Sequence, residues 1–175
     1  MIDGVVFKEL VTHADERGFF ARCFCEREFA EQGLPVQFPQ CNLSRNTRAG
    51  TLRGMHFQAG PAKEAKIVRA VAGAIYDVIA DIRPSSPTYR QWYAVELSSE
   101  NAMALFVPEG FGHGFITLRD DTDVFYHMSD FFRPAGARGF RWDDPYFDIR
   151  WPVVPTTISK RDATYRDFDP ASFDD

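Results

Sequence analysis

Cysteine is scarce in this chain of 175 residues, and its spacing matches no metal or redox pattern. The three cysteines are Cys23, Cys25 and Cys41; the first two form a C-x-C pair, and no second pair accompanies it. Structural zinc sites need two cysteine or histidine pairs, and redox-active disulfides use C-x-x-C. We therefore expect three reduced thiols that behave as small hydrophobic side chains.

Long basic runs and long apolar runs are also absent. The net charge is -5, and no basic stretch alternates with aromatic residues, so a nucleic-acid partner is not expected. The opening residues, MIDGVVFKEL, lack a positively charged leader before an apolar run, and no window approaches the length of a membrane span. These absences predict a cytoplasmic protein with no membrane partner.

The composition indicates one globular domain over residues 1–175. Hydrophobic residues make up 45% and charged residues 26%, a balance typical of folded chains, and the length is sufficient to bury a core. Aromatic residues reach 15% and include 17 phenylalanines. This content favours a β-rich core or a pocket walled by aromatic rings.

Short strands separated by turn residues fill the middle of the chain. Apolar and β-branched residues alternate there, and breakers such as Gly73 and the run PSSP at 84–87 interrupt them. This spacing predicts an all-β fold, either an antiparallel sandwich or a barrel. The predicted strands lie within AKIVRAVAG, AIYDVIADIR, QWYAVELSSENAMALFVPEG and GFITLRDDTDVFYHMSDFF.

Helices have little room in this pattern. Residues 26–33, EREFAEQG, predict one short helix that ends at Gly33 before Pro35. The tail from residue 152 is rich in proline, aspartate and threonine, so we expect irregular structure with a short helix near 159–166. No repeat and no low-complexity linker divides the chain.

Two histidines lie in segments typical of the two halves of a cupin signature. PEGFGHGF at 108–115 has the P-x-G-x-x-H spacing of the second half, and RGMHFQ at 53–58 stands where the first half belongs. A metal-binding cupin has H-x-H there, but this chain has Gln58. His56 and His113 alone do not supply the three or four ligands of a usual metal site. A small barrel with one or two catalytic histidines and no metal is the better interpretation.

The chain resembles the dTDP-4-dehydrorhamnose 3,5-epimerase family, whose members act on sugar nucleotides. The resemblance covers nearly the whole chain, and the matching blocks follow one another in order. It implies a cupin-like jelly-roll barrel of antiparallel strands with one or two short helices. The blocks are DERGFF, QCN, LRGMHFQ, AKIVRAVAGAIYDVIADIR, SSPTYRQW, LSSEN, PEGFGHGF, FYHMSDFF, RWDDP, IRWP and SKRD.

The resemblance implies roles for particular residues. His56 matches the catalytic base, Asp162 the carboxylate that pairs with it, and Tyr126 the opposing general acid. Lys66 matches a cation near the keto oxygen of the sugar. The other matching positions imply contacts with the nucleotide diphosphate or the sugar, and they are Arg17, Gln40, Asn42, Arg53, His113, Phe132, Phe20 and Arg161.

The implied reaction explains why these residue types are needed. Epimerisation beside a ketone removes a proton and returns one to the opposite face, so a base must face an acid. Histidine offers a base with an ordinary pKa near neutrality, and a carboxylate behind the ring fixes its tautomer. Negative charge spreads onto the C4 oxygen, where a cation such as Lys66 lowers the barrier. No metal, nicotinamide or other cofactor is required.

Four positions depart from the family pattern. Arg22 stands where the family commonly has a glutamate that helps to hold the nucleoside, and Phe132 replaces the second tyrosine of a pair. His127 replaces a lysine, and Ala137 falls where a glutamate would contact substrate. The proton-transfer set is intact and the nucleotide-contact set is altered, so the resemblance supports the chemistry more directly than the substrate.

The resemblance also implies a homodimer that binds a nucleotide sugar and exchanges N-terminal strands between its subunits. Residues 5–10 are the segment expected to be exchanged. Structural alternatives exist for single residues, since Tyr126 also fits a strand aromatic and His113 also fits a brace for its loop. An inward Lys66, on the same side as Val68, is costly unless paired, which favours a functional position.

Other functions stay open at the level of sequence. Inversion of C3 alone, or a 3,4-ketoisomerase on a related nucleotide sugar, would use similar residues. A non-catalytic sugar-nucleotide binding protein is the alternative from another class, but a pure binder has no need for a base facing an acid. A metal-dependent cupin oxygenase predicts bound iron or nickel.

The assignment of the base gives a first prediction. His56→Ala is expected to abolish turnover while folding and nucleotide binding stay largely intact, because only the proton acceptor is removed. Turnover, circular dichroism and nucleotide affinity of the variant check this expectation. A normal rate of epimerisation in the variant would show that His56 is not the base.

Overall fold

The computed structural model describes residues 6–173, and most of the regular structure in that range is β-strand. The all-β prediction is therefore confirmed. The strands are β1 (Val6–Glu9), β2 (Thr12–Asp15), β3 (Gly18–Ala21), β4 (Gln40–Asn46), β5 (Thr51–Gln58), β6 (Lys66–Ala72), β7 (Ala74–Asp81), β8 (Trp92–Ser98), β9 (Met103–Val107), β10 (Phe111–Thr117), β11 (Thr122–Met128), β12 (Ala137–Gly139) and β13 (Thr157–Ile158).

Two sheets form the barrel. The first has the strand order β1-β9-β6-β11-β4 and the second the order β12-β5-β10-β7-β8, with antiparallel neighbours throughout. Strand β13 adds to β5 in parallel, and β2 and β3 form a separate hairpin. Apart from the consecutive pair β7 and β8, neighbours in each sheet come from distant parts of the sequence, which is the jelly-roll arrangement.

The helices are few and short. Helix α1 (Glu26–Glu31) lies in the predicted segment 26–33, and α2 (Lys160–Ala163) lies in the predicted segment 159–166. Single 3₁₀ turns occur at Gly60–Ala62, Pro134–Gly136 and Pro170–Phe173. Within residues 6–173, no helix is long and apolar enough to cross a membrane.

Apolar side chains on the inner faces hold the two sheets together. Because neighbouring residues of a strand point to opposite faces, every second residue of β6, β7, β10 and β11 enters this core. The buried cluster consists of Val68, Ala70, Ile75, Ile79, Leu97, Leu105, Val107, Phe111, Phe115 and Val124. It fills one part of the space between the sheets and leaves the inner positions at one end of β5, β6 and β11 for other residues.

The outer faces of both sheets are covered by the remaining chain. Residues 140–151 and Phe168 pack aromatic side chains on the second sheet, against Met55 and Phe57. Helix α1 and residues 34–38 cover the first sheet through Phe29 and its neighbours. Each sheet is thus apolar on both faces, which explains the high aromatic content.

Strands β5 and β10 approach unusually closely. A Cβ atom on Gly54 would lie 2.5 Å from the Cα atom of Gly114, and a Cβ atom on Gly114 would lie 2.7 Å from the Sδ atom of Met55. Neither position has room for a side chain. This close contact lies next to the register pair His56 and His113, so it brings the two histidines of the sequence motifs opposite each other.

The N-terminal region divides into two parts. In the single chain, β1 pairs with β9 of the same chain along Val6–Glu9; Val5 of the expected exchange segment lies outside the described residues. The β2–β3 hairpin belongs to neither barrel sheet, and Phe19 and Phe20 on it are exposed. The three cysteines are free thiols, and Cys23 and Cys41 are exposed rather than packed as small hydrophobic residues.

Candidate active site

One pocket lies against the inner faces of β4, β5, β6 and β11. It consists of two adjoining cavities of about 450 and 330 Å³, which share Leu43, His56, Lys66 and Tyr126. Pockets of this size accommodate small organic ligands. The other lining residues are Gln40, Asn42, Ser44, Arg45, Arg53, Phe57, Gln58, Glu64, His113, Phe115, Met128, Phe132, Ala137, Arg138 and Arg161.

His56 and Asp162 form a hydrogen-bonded pair at this pocket. The Nε2 atom of His56 lies 2.8 Å from Oδ1 of Asp162. A carboxylate can only accept, so Nε2 carries the hydrogen and Nδ1 keeps the lone pair that a base requires. The histidine side chain is 38% exposed and reaches the pocket, whereas the carboxylate is 6% exposed and sits behind it.

Helix α2 positions Asp162. Ser159 caps the helix by accepting a hydrogen bond from the backbone N–H of Asp162 at 3.0 Å, and the backbone N–H of Gly54 donates to Oδ2 at 3.3 Å. Burial opposes ionisation of the carboxyl group. The hydrogen bond and charge of His56, together with the backbone N–H of Gly54 and the side chain of Ser159, nevertheless hold the pKa of Asp162 below its usual value.

Tyr126 and Lys66 come from the neighbouring strands β11 and β6. Burial raises the pKa of the Tyr126 phenol above its ordinary value, although the positive charge of Arg53 opposes the shift. A phenol with a raised pKa stays protonated and can serve as a donor. The Lys66 side chain is 12% exposed, and its ammonium pairs with Glu64, with 3.3 Å between Nζ and Oε1.

His113 forms a second histidine–aspartate pair on the same sheet. Its Nε2 atom lies 2.8 Å from Oδ1 of Asp77, which is fully buried on β7. The histidine lines the smaller cavity beside Arg53. Its ring is thus braced by a carboxylate while one side faces the pocket, and contact with a ligand stays a prediction for this residue.

Polar side chains at the pocket edge hold one another in place. The amide of Gln40 donates to Oδ1 of Asn42 at 3.3 Å, and its Oε1 accepts from the backbone N–H of Phe132 at 3.0 Å. Arg53 donates to Oδ1 of Asn46 at 2.7 Å, and Arg161 donates to the hydroxyl of Tyr165 at 2.7 Å. Both guanidinium groups are therefore fixed by a neutral partner and keep their charge available to a ligand.

Two expected substrate-binding residues do not reach the pocket of their own chain. Arg17 lies at the tip of the β2–β3 hairpin with its side chain 82% exposed, where it pairs with Asp15. Phe20 is 72% exposed on β3. Both lie on the β2–β3 hairpin, which forms a two-stranded sheet of its own. The structure brings together the other ten predicted site residues and leaves these two aside.

The four departures from the family pattern have different surroundings. Phe132 and Ala137 line the pocket. Arg22 is exposed and pairs with Glu28 at 3.1 Å. His127 points to the outer face of β11, where it packs against the rings of Phe24, Phe38 and Phe125. Burial, aided by the charge of Arg69, lowers the pKa of His127, so a neutral ring occupies that layer.

Sequence analysis missed several residues of the site. Glu64 and Gln58 are buried in the pocket wall, and Arg138 lines it from β12. Asp77 orients His113, and the ring of Tyr165 packs edge-on to His56 at 6.0 Å between centroids. Side chains alternate between the two faces of β5, so Gln58 points inward like His56, and this pattern could have identified it. A single acidic residue in a short loop, such as Glu64, gives none.

These groups define the chemistry that the pocket can perform. A histidine base backed by a carboxylate shares the pocket with a buried phenol, and a lysine cation lies beside them. Within residues 6–173, no group of three or more His, Cys, Asp and Glu side chains is arranged to hold a metal ion. The jelly roll and its pocket define an acid–base enzyme of the cupin-like class.

Known proteins are similar to this chain in sequence and in fold. The family model described as dTDP-4-dehydrorhamnose 3,5-epimerase matches residues 1–169. The dTDP-4-dehydrorhamnose 3,5-epimerase of Shigella flexneri is 40% identical over 173 residues, which cover 98% of this chain and 95% of the relative. The chain therefore belongs to the dTDP-4-dehydrorhamnose 3,5-epimerase family, and it is an isomerase, as the sequence predicted.

Two solved structures are close in fold. The dTDP-6-deoxy-D-glucose-3,5-epimerase of Legionella pneumophila, in complex with dTDP-4-keto-L-rhamnose, has a TM-score of 0.92 and 35% identity, covering 98% of this chain and 93% of that one. A 3'-monoepimerase of Streptomyces bikiniensis, in complex with dTDP-quinovose, has a TM-score of 0.89 and 31% identity, covering 98% and 86%. The cupin-like jelly-roll prediction is confirmed.

The two histidine–aspartate pairs lead to different expectations for their carboxylates. Asp162→Asn is expected to lower kcat by about 100-fold or more, because the amide no longer fixes the His56 tautomer or stabilises its protonated form. Asp77→Asn is the matched control, and we expect it to raise KM more than it lowers kcat. Steady-state kinetics of both variants check this, and equal losses of kcat would contradict the distinction.

Proposed function

We propose that this protein inverts C3 and C5 of a dTDP-linked 4-keto-6-deoxy sugar. The observation that carries the proposal is the convergence, in one pocket, of the His56–Asp162 pair with the phenol of Tyr126 and the ammonium of Lys66. The names of the relatives, which include 3,5-epimerases of dTDP-sugars, support the same reaction.

The reaction follows from the chemistry of these groups. Nδ1 of His56 takes the proton from the carbon beside the C4 ketone, and the electron pair of that C–H bond moves into an enolate. The negative charge reaches the C4 oxygen, where the Lys66 ammonium stabilises it. Tyr126 then gives its phenolic proton to the opposite face of the same carbon, which restores the ketone with inverted configuration.

The raised pKa of Tyr126 suits this order of events. The phenol keeps its proton while the enolate forms, because burial disfavours the phenolate. Asp162 stabilises the imidazolium that His56 becomes, because its own pKa is low and it stays ionised. Exchange with water restores the starting protonation of both groups after each inversion, so the same pair can act at the second carbon.

The charges of the pocket support a nucleotide diphosphate as the carrier of the sugar. The whole chain has a net charge of -5, but among the described residues the pocket is lined by five cations and one carboxylate, which are Arg45, Arg53, Lys66, Arg138, Arg161 and Glu64. Guanidinium groups bind phosphate oxygens in a bidentate manner. Phe132, at the same edge, offers a ring on which a nucleoside base can stack.

Inversion at C3 alone is the second candidate. It is favoured by the similarity to the 3'-monoepimerase of Streptomyces bikiniensis, whose fold is nearly as close. The same base and acid serve both carbons, so the proton-transfer residues do not separate the two outcomes. The time that the enolate spends in the pocket, and whether its ring can change conformation, decides the second inversion.

Isotope exchange distinguishes these functions. The protein is incubated with dTDP-4-keto-6-deoxyglucose in deuterated water, and NMR reads C3 and C5 separately. We expect deuterium at both carbons, because each proton that His56 removes is replaced from a group in exchange with solvent. Deuterium at C3 alone would establish a monoepimerase. Exchange at neither carbon, with His56→Ala as the blank, would contradict the epimerase proposal.

We also propose a homodimer in which the β2–β3 hairpin serves the pocket of the partner subunit. Three observations support it: the hairpin has no strand partner in the barrel sheets, Phe20 on it is 72% exposed, and Arg17 lies outside the pocket of its own chain. In the single chain β1 pairs with β9, so the hairpin is the segment that we propose to reach across, and exchange of residues 5–10 stays a prediction from the sequence.

Complementation between two inactive variants tests the exchange. Arg17→Ala and His56→Ala are purified separately, unfolded together and refolded, and turnover is measured below the KM of the wild type. If the hairpin reaches the partner, a mixed dimer contains one pocket with both native residues, so activity returns. If Arg17 serves its own chain, each pocket carries one defect, and the absence of any recovery would refute the exchange.

A cytoplasmic location is part of the same proposal. Cys23 and Cys41 are exposed free thiols, and neither has a disulfide partner within residues 6–173. Exposed thiols persist in the reduced form in the cytoplasm, whereas oxidising compartments favour disulfides. The expected absence of a signal segment stays a prediction from the sequence.

A further inference from the structure

A buried carboxylate in the pocket wall has no part in the proton transfers proposed above. Glu64 lies between the 3₁₀ turn at Gly60–Ala62 and the start of β6, and its side chain is 3% exposed. Its Oε1 atom is 3.3 Å from Nζ of Lys66, and its Oε2 accepts a hydrogen bond from Nε2 of Gln58 at 3.1 Å. Both oxygens are therefore held, one by β6 and one by β5.

The position of Lys66 makes such a partner necessary. Its side chain is 12% exposed, so the ammonium has lost most of its hydration. Burial disfavours a charged amine, and an opposite charge with good geometry offsets that cost. Glu64 is the one carboxylate among the described residues that line the pocket. Glu64 thus supplies the opposite charge beside the Lys66 side chain.

Glu64 also restricts where the ammonium points. A lysine side chain has four flexible carbon–carbon torsions, and an unpartnered ammonium samples many positions. Gln58 fixes one carboxylate oxygen from β5, so the other oxygen holds Nζ at the common wall of both cavities. The ammonium has three N–H donors, and this ion pair uses one of them.

We propose that Glu64 is a positioning residue for the epimerisation: its carboxylate holds the Lys66 ammonium in an ion pair and directs it towards the C4 oxygen of the substrate. The inference rests on the role proposed for Lys66. A purely structural role for Glu64, joining the ends of β5 and β6, is the competing explanation. The two differ in one respect, since a structural role does not require Lys66 to be present.

A double-mutant cycle separates these explanations. Glu64→Gln keeps the size of the side chain and removes its charge, so we expect kcat to fall by about 100-fold with little change in KM. In a Lys66→Met background the same substitution is expected to leave kcat nearly unchanged, because no ammonium is left to orient. An equal fall of kcat in both backgrounds would overturn the proposal.

Moving the charge gives a second, independent readout. Ala137 is the register partner of Gln58 across β12 and β5, so the two side chains lie on the same face, and both line the larger cavity. Ala137→Glu is added to Glu64→Gln to supply a carboxylate from this strand. We expect recovery of kcat by at least about tenfold, as a charged partner is regained. No recovery would count against the proposal.

A matched control accounts for the loss of any buried carboxylate. Asp144 is fully buried outside the pocket and accepts hydrogen bonds from the backbone N–H groups of Tyr146 and Phe168. Asp144→Asn is expected to lower the melting temperature and leave kcat unchanged. If Glu64→Gln lowers the melting temperature equally but also leaves kcat unchanged, Glu64 is structural.

The outcome also separates failure of this inference from failure of the proposed function. A wild-type protein without deuterium exchange would refute the epimerase proposal before the role of Glu64 arises. A wild-type rate in Lys66→Met alone would refute the role of Lys66 and, with it, the present inference. A third outcome would refute only the role of Glu64. In that case the wild type exchanges deuterium, Lys66→Met lowers kcat, and the effects of the two substitutions on kcat are additive in the double-mutant cycle.

Discussion

The alternation of side chains along three strands is the constraint on which this structure depends. On β5, β6 and β11, inward positions carry His56, Lys66 and Tyr126, and the positions between them enter the outer apolar layers. A shift of one residue in any strand would exchange these faces and move a charged or catalytic group out of the pocket. The same register that packs the core therefore assembles the site.

Register is fixed most tightly where the two glycines of β5 and β10 meet. Gly54 and Gly114 leave no space for a slipped arrangement, because any other residue at either position brings a side chain into contact with backbone. The pair lies beside His56 and His113. The close packing of Gly54 against Gly114 therefore also determines where the two histidines lie.

Three ionisable side chains that line the pocket each have a carboxylate partner. His56 has Asp162, His113 has Asp77, and Lys66 has Glu64, with distances of 2.8, 2.8 and 3.3 Å. An opposite charge offsets part of the cost of burying a charged group, and these partners come from helix α2 (Asp162), from β7 (Asp77) and from the segment before β6 (Glu64). In each pair the histidine or lysine also lines the pocket, so the same contacts serve both stability and the site.

Much of the barrel was predictable because its signals are local. Alternation and turn residues located the six strands between residues 65 and 128, and the same alternation placed Lys66 on the side of Val68. The hairpin position of Arg17 and Phe20 was not predictable, because nothing in their sequence says which surface they face. Glu64 was missed since an acidic residue in a short loop usually points to solvent. Glu64 is buried only in the folded protein, where Gln58 of β5 donates a hydrogen bond to its carboxylate.

The position of Asp162 in the chain has a consequence for the order in which the protein becomes active. The catalytic histidine is residue 56, and the carboxylate that pairs with it comes more than a hundred residues later. It lies in helix α2, which follows β13. During synthesis the barrel strands are complete before this segment leaves the ribosome. The carboxylate of the catalytic pair is thus among the last parts of the site to be synthesised, and cleavage in the 152–156 connection would separate it from the chain that carries His56.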